Sequence, residues 1–330
     1  MATLKDIAQR AGVTATTVSR VINNRGYISE GTRKKVYAAM EEMHYQPNEL
    51  ARAFSKQYTN TIGLIVPHIS HPFFTKVISN IESSAAEKGF KLLLCNSKEQ
   101  PEKEQDYLDM CISNRVAGIV LCSKYVQTRE FRKMNIPVVN LERGGDDDTI
   151  SVQCDNYQGG KLAAEHLIEC GCKNLLHFGG VAGKDMPADR RADGFADVCK
   201  RAGIPYRILV SDRLQYGSMH YEDFIRRALQ EFPDVDGIFA SSDLIASQVI
   251  QVGAQMGKRV PEDIQLIGFD DVMISTVTTP QITTIHQPVE EMAELCVEYI
   301  TKSLKNESVP QKIVLPVRLV QRGTTVLKTK

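Results

Sequence analysis

The chain has 330 residues, 42% hydrophobic and 24% charged, with 40 Lys and Arg set against 40 Asp and Glu. That length and apolar content support two or three compact units of an ordinary soluble protein rather than one. Lys5 and Asp6 stand where a signal peptide would begin its apolar run, and no later apolar stretch approaches the roughly 18 residues of a membrane span, so the expected compartment is the cytoplasm. The eight cysteines (Cys95, Cys111, Cys122, Cys154, Cys170, Cys172, Cys199 and Cys296) show no zinc or redox spacing and read as reduced thiols packed as small apolar residues.

Charge is uneven along the chain. Residues 1–60 carry nine Lys and Arg (Lys5, Arg10, Arg20, Arg25, Arg33, Lys34, Lys35, Arg52, Lys56) against five acids (Asp6, Glu30, Glu41, Glu42, Glu49), so a basic front precedes a slightly acidic body. Such a head fits a polyanion partner. Thr3 is placed to cap a helix whose apolar Leu4, Ile7, Ala8 and Ala11 fall on one stripe, and Gly12 stops it. After the turn Gly12-Val13-Thr14, Thr14 is placed to cap a second helix with Ala15, Val18, Val21 and Ile22 facing inward.

Two short helices across a glycine turn are the helix-turn-helix layout, in which the second helix enters the major groove. Its outer face carries Thr16, Thr17 and Arg20. Arginine reads guanine bidentately, Ala15 or a threonine methyl suits thymine, and Ser19 and Asn23 suit phosphates. A third helix is expected from a Ser29 cap to about His44, burying Val36, Met40 and Met43, with Tyr45-Gln46-Pro47 ending it. Periodicity alone gives the same pattern for any small three-helix cluster. Asn48 is placed to cap one more short helix, Glu49 to Lys56, with Leu50 and Phe54 one turn apart. Too short to persist alone, it either packs on the body or pairs with a second copy and pushes an apolar wedge into the minor groove.

From Thr61 onward, short apolar strands alternate with helical stretches: Ile62–Val66, Leu92–Cys95, Gly118–Leu121, Val138–Leu141, Leu175–Phe178, Ile208–Val210, Gly237–Ala240 and Gln265–Gly268. One intervening helix is marked by Phe74, Val77, Ile78, Ile81 and Ala85. About eight strands in this alternation imply an α/β core of two doubly wound, parallel-sheet lobes. Ligands of such sheets bind beyond the carboxyl ends of the strands, here in a cleft between lobes. The polar residues just past strand ends are the candidates: His71 and Phe73, Glu142, Arg191, Asp243, Asp270 and Gln287. Carboxylates, an arginine and an aromatic suit polyhydroxylated ligands. Gly179-Gly180-Val181-Ala182-Gly183-Lys184-Asp185 fails the P-loop pattern at Phe178 and Asp185 and reads as a strand-to-helix turn, while no hydrolase elbow or metal-ligand spacing occurs. No catalysis, cofactor or metal is expected.

Leu4-Lys5-Asp6-Ile7-Ala8, Gly12-Val13, Thr17-Val18-Ser19-Arg20-Val21-Ile22-Asn23 and Tyr45-Gln46-Pro47-Asn48 resemble the lactose/galactose repressor (LacI/GalR) family. The likeness runs the whole chain, through Ile62-Gly63-Leu64-Ile65, His71-Pro72-Phe73-Phe74, Asp155-Asn156, Arg191-Ala192-Asp193-Gly194-Phe195, Ser242-Asp243, Gly268-Phe269-Asp270-Asp271 and Thr283-Thr284-Ile285-His286-Gln287-Pro288. It implies an all-α helix-turn-helix head (1–47), a hinge helix and linker (48–60), and an effector-binding and dimerisation core (61–330) resembling type I periplasmic sugar-binding proteins. Lobe 1 is expected at about 61–157 and 288–316, and lobe 2 at about 158–287 and 317–330.

The resemblance further implies a homodimer on a palindromic operator in double-stranded DNA, a repressor of carbohydrate-utilisation genes and a small effector, with a sugar, even a disaccharide such as sucrose, favoured. Ala15, Thr16 and Arg20 match the family's base-reading residues, with Thr14, Thr17, Ser19, Asn23 and the hinge wedge Phe54 completing the DNA set. Arg191, Asp270 and Gln287 match its effector ligands, with His71, Phe73, Glu142, Tyr216, Ser242 and Asp243 lining the same cleft. Two positions depart from the family pattern: Phe54 replaces a leucine wedge, and Ser242 replaces a common asparagine. Family members that bind purines share these core markers, and a carbon-catabolite regulator that uses a protein partner is a further alternative. A transport or sensory sugar-binding protein and a sugar-processing enzyme are the rival classes; the basic helix-turn-helix head and the missing signal-peptide pattern count against the first, and the second should show turnover without DNA.

Overall fold

The computed structural model describes residues 2–22, 25–45, 58–123, 136–143, 149–181 and 186–328. The chain divides into two units, Met1–Asn60 and Thr61–Lys330. In the first, α1 (Leu4–Ala11) opens with a capping box: Thr3 Oγ1 accepts from the Asp6 N–H and Asp6 Oδ2 accepts from the Thr3 N–H at 2.7 Å. Gly12 closes it in the left-handed conformation at φ 68°, the geometry a helix C-terminus needs and a Cβ resists. In α2 (Ala15–Ile22) the Thr14 hydroxyl accepts from the Thr17 N–H at 3.1 Å, and in α3 (Glu30–Glu42) Ser29 does the same for Thr32.

Ile7, Ala8, Ala11, Val18, Val21, Val36 and Ala39 form the core of this unit, and the forked pair of Arg10 with Glu42 ties α1 to α3. The sequence places Met40 and Met43 in that core, but both are only half-buried. Ala39 takes the inward position beside Val36, and α3 ends at Glu42, so Met43 leaves the helix as its C-cap. Asn23, Phe54 and most of the expected hinge lie outside the described residues.

The second unit starts with β1 (Thr61–Val66), α4 (Pro72–Glu87), β2 (Lys91–Asn96), α5 (Pro101–Ser113), β3 (Gly118–Leu121), β4 (Val138–Leu141) and β5 (Ile150–Cys154). It continues through α6 (Asn156–Glu169), β6 (Leu175–Val181), α7 (Arg190–Ala202), β7 (Tyr206–Ser211), α8 (Arg213–Ser218), α9 (Glu222–Glu231), β8 (Gly237–Ala240), α10 (Asp243–Gln255), β9 (Gln265–Asp270), α11 (Ile274–Val277) and β10 (Thr283–His286). The last elements are α12 (Val289–Leu304), β11 (Lys312–Leu315) and β12 (Arg318–Val320).

Two six-stranded sheets result, ordered β11-β5-β4-β3-β1-β2 and β12-β10-β9-β8-β6-β7. Every pairing is parallel except β10 with β12. The inner strands are buried on both faces, which is why they read as unbroken apolar runs. Of the twelve strands among the described residues, periodicity misses β5, β10, β11 and β12. Buried threonines in β10 (Thr283, Thr284) and three- or four-residue lengths in β11 and β12 leave little signal.

The chain leaves the first sheet after Cys154, returns through α12, which packs on α4, and leaves again after Leu315. Helix α6 already packs on α7 and the second sheet. Its contact with α7 is backbone on backbone, because a Cβ at Gly160 would overlap the Arg191 carbonyl and one at Gly194 would overlap that of Tyr157. This close approach brings Arg191 beside the first turn of α6.

Candidate functional site

Beyond the carboxyl ends of both sheets the two lobes face a cleft of about 980 Å3, its open mouth included, at the upper end of the roughly 300–1,000 Å3 of small-ligand sites. His71, Phe73 and Glu142 line it from the first lobe, Arg191, Tyr216, Ser242 and Asp270 from the second, and Gln287 from the second crossing.

Arg191 is buried at the start of α7. Its Nε donates to Asn156 Oδ1 at 2.8 Å and its Nη1 to the Ser241 carbonyl at 2.6 Å, while the guanidinium lies 3.5 Å above the centre of the Phe269 ring. Stacking and two fixed acceptors orient the fork before any ligand arrives. Asp270 Oδ1 accepts from Gln287 Nε2 at 2.6 Å. Burial raises the Asp270 carboxyl to about 7, opposed first by Arg191 and then by the Gln287 bond. Asp270 at φ 109°, Glu142 at φ 49° and Glu99 at φ 60° all occupy the left-handed region that side chains avoid, so three carboxylate residues lining one cleft sit on strained backbone.

Glu142, 8% exposed, accepts from the Cys154 N–H through Oε1 and from Asn156 Nδ2 at 2.9 Å through Oε2. His71 caps α4, its Nδ1 accepting from the Phe73 N–H at 3.3 Å. Burial lowers its pKa to about 4, helped by His68 and Arg191, so the ring is neutral at pH 7 and its proton sits on Nε2 as a donor. Phe73 and Phe74 pack edge to face with centres 5.2 Å apart and supply an apolar wall. Tyr216, on α8, meets the His68 ring across the cleft at 5.5 Å. Ser242 lines the cleft, but its hydroxyl accepts from the Ile245 N–H at 3.2 Å as the cap of α10.

Asp243 does not line the cleft, contrary to the sequence expectation. Fully buried, it accepts from the Val272 N–H at 2.9 Å and from the Thr284 hydroxyl at 2.6 Å, tying α10 to the loop after β9 and to β10. As the first residue of α10 it points about 100° around the axis from the next position, away from the cleft that its cap Ser242 faces.

Sequence reasoning overlooks Ser123, Glu99, Asp189 and Tyr221, which also line the cleft. Ser123 follows the end of β3 and was accessible to the same strand-end rule; Tyr221 precedes a helix, where no such rule applies. Gln287 Oε1 and Ser123 Oγ are buried and have no hydrogen-bond partner among the described residues. Among the described residues no cluster of His, Cys, Asp or Glu is placed to hold a metal ion, and no helix is long and apolar enough to cross a membrane. All eight cysteines are buried free thiols.

On the head, Thr14, Thr16 and Arg20 are exposed, and Ala15, Thr17 and Ser19 are half-buried. Thr14 and Thr17 also share a hydroxyl–hydroxyl bond at 2.9 Å, which fixes the first turn of α2.

A helix-turn-helix head joined to a two-lobed core with a polar, aromatic-walled cleft defines a ligand-responsive DNA-binding regulator. Residues 3–48 match the bacterial regulatory proteins of the lacI family, and residues 164–325 match the periplasmic binding protein-like domain. The chain is 33% identical over 326 residues to the ribose operon repressor of Halalkalibacterium halodurans, covering 98% of this chain and 97% of that one. It is 36% identical over 324 residues to the sucrose operon repressor of Pediococcus pentosaceus, covering 97% and 98%. Its fold matches the crystal structure of the lac repressor dimer bound to operator and the anti-inducer ONPF, with a TM-score of 0.83 and 25% identity over 98% of this chain and 99% of that one. The chain belongs to the LacI family of bacterial transcription regulators.

Proposed function

We propose that the chain is a cytoplasmic, homodimeric repressor of carbohydrate-utilisation genes, and that a small sugar bound in the cleft changes its affinity for a palindromic operator. The observation that carries the sugar reading is the buried Gln287 Oε1, an acceptor without a partner beside the Asp270 carboxyl. An unmet acceptor in such a place costs about 1–3 kcal/mol until a donor reaches it, and a sugar hydroxyl is such a donor. Arg191 and neutral His71 supply donors, Asp270 and Glu142 supply acceptors, and Phe73 and Phe74 face the apolar side of a sugar ring. The ribose and sucrose operon repressors are relatives of the expected kind. Ala15, Thr16 and Arg20 read bases, Thr14, Thr17, Ser19 and Asn23 hold the backbone, and Phe54 wedges the minor groove.

The cleft binds its ligand without turning it over. Glu142 is held by two donors, Asp270 by Gln287, and the Ser242 hydroxyl by its helix, which suits recognition better than proton transfer.

The test is thermal unfolding of the full chain against ribose, sucrose, their phosphates and purines at millimolar concentration. A ligand at 100 times its dissociation constant adds about 2.7 kcal/mol to the folded state. A sugar that raises the midpoint, and that alters affinity for a selected operator by the factor with which operator alters sugar affinity, is the expected result. A purine shifting the midpoint overturns the sugar reading. No shift with any of them moves the weight to a protein partner, and operator affinity unchanged by a bound sugar removes the switch.

A further inference from the structure

Asn156 is the first residue of α6, and a charged wall of the cleft sits at each end of its amide. Its Nδ2 donates to Glu142 Oε2 at 2.9 Å, and its Oδ1 accepts from Arg191 Nε at 2.8 Å. Glu142 ends a strand of the first sheet, whereas Arg191 opens a helix packed on the second. Asn156 itself is 4% exposed and sits where the chain first passes between lobes. The amide can be oriented in only one way. Arg191 has no acceptor to offer and both Glu142 carboxyl oxygens act as acceptors, so turning the amide over would set N–H against N–H and oxygen against oxygen.

We propose that Asn156 is a positioning residue of the effector site: it fixes the spacing between the Glu142 wall and the Arg191 wall, so that the two lobes close on a ligand as one unit. This inference rests on the reading of the cleft as an effector site. A ligand that engages the guanidinium of Arg191 and the carboxylate of Glu142 meets groups already tied together. The relay Glu142–Asn156–Arg191 therefore couples occupancy of the second lobe to the position of the first. Asp155, which caps α6 through the Gln158 N–H at 2.9 Å, holds the helix start in place without touching the relay.

The geometry allows a donor–acceptor exchange as its test. Asn156→Asp keeps the acceptor for Arg191 but turns a carboxylate on Glu142, and Glu142→Gln alone sets a donor amide against the Asn156 donor. In the double variant Glu142→Gln/Asn156→Asp, the glutamine Oε1 still accepts from the Cys154 N–H and its Nε2 donates to the new carboxylate, which still accepts from Arg191. Net charge in the relay is unchanged. Cleft opening is read in full-length protein through Tyr216→Trp, the only tryptophan in a chain that has none, placed against the His68 ring of the other lobe.

In that background each single variant should shift the tryptophan emission toward that of a solvent-exposed ring, and the double variant should return it to the parent value. In the parent chain without the reporter, the midpoint shift given by ribose or sucrose should fall in Asn156→Asp, with affinity weakened about tenfold, the scale of a hydrogen bond to a charged group; the double variant is read by emission alone, because Glu142 itself lines the cleft. Emission unchanged in the singles, or emission that does not return in the double, overturns the relay. If neither sugar shifts the parent midpoint while the emission cycle closes as expected, the sugar reading fails and the relay between lobes stands.

Discussion

The head and the cleft solve the same problem, presenting polar groups to a partner, in opposite ways. On the head the candidate reading groups Thr16 and Arg20 are exposed on a two-turn helix whose fold depends on small buried residues behind them, such as Val18 and Val21. In the cleft, Arg191, Asp270 and Glu142 are buried, Arg191 and Glu142 tied together through Asn156 and Asp270 held by Gln287, and two of them sit on strained backbone. Exposed groups cost the fold little and can be exchanged freely as the DNA sequence to be read changes. Buried charges are held only by an assembly of strand ends far apart in the chain, so the cleft is where function and stability are coupled.

The largest break in this comparison comes from the helix contact that seats Arg191. Gly194→Val sets a branched side chain against the Tyr157 carbonyl, where even a single Cβ overlaps backbone. The cost should exceed the roughly 3 kcal/mol usual for overpacking, because neither neighbour is a flexible side-chain end. Loss of cooperative unfolding, or recovery only in inclusion bodies, is expected; a folded variant with parental midpoint would mean that α6 and α7 are not held together at this point.

A smaller effect sharpens the electrostatic side. The Asp270 carboxyl is raised from an unfolded value near 3.9 to about 7, so its contribution to stability is fully present below pH 4 and is lost as pH rises through 7. Three pH units correspond to a loss on the order of 4 kcal/mol as an upper figure, since the neighbouring buried Asp243 and Asp270 act on each other's ionisation. Asp270→Asn keeps the acceptor for Gln287 and removes the ionisation. Relative to the parent, the variant should gain stability from pH 5 to pH 8 in urea titrations. Parallel curves for the two proteins would show that Asp270 titrates as an ordinary exposed carboxyl.

The same contrast explains what the sequence reveals. The head is legible because its signals are local: Thr3 and Asp6 are a capping box, Gly12 is a stop, and α2 shows its apolar stripe within eight residues. The α/β core is legible where a strand is an unbroken apolar run, as in β1, β3 and β8, while β10, whose buried positions include Thr283 and Thr284, and short β11 and β12 pass unseen. Within the cleft, the strand-end rule finds Glu142 and Asp270 but cannot separate Asp243, because whether a residue past a strand faces the ligand depends on its place in the helix that follows. Asn156 is visible as part of a motif, yet its role appears only when Glu142 and Arg191, 14 and 35 residues away, meet on its two ends.

The smallest effect on the fold and the most selective effect on function belong to Arg20. Its side chain is exposed, and among the described residues no hydrogen bond or ion pair of that side chain supports the α2 packing, which rests on Val18, Val21 and the Thr14–Thr17 cap. Arg20→Ala should therefore change unfolding stability by less than about 0.5 kcal/mol. If the side chain reads a base, affinity for an operator fragment selected from random DNA by the parent chain should fall by about 1–3 kcal/mol, and discrimination should relax at one position of each half-site. Sugar-induced midpoint shifts should stay at the parental value, since the described residues lining the cleft, from Pro67 to Gln287, belong to the second unit. A uniform loss across all DNA sequences, with a shallower salt dependence, would instead make Arg20 a phosphate contact. That result would move base reading to Ala15 and Thr16 and leave the contrast between an inexpensive exposed face and a costly buried one unchanged.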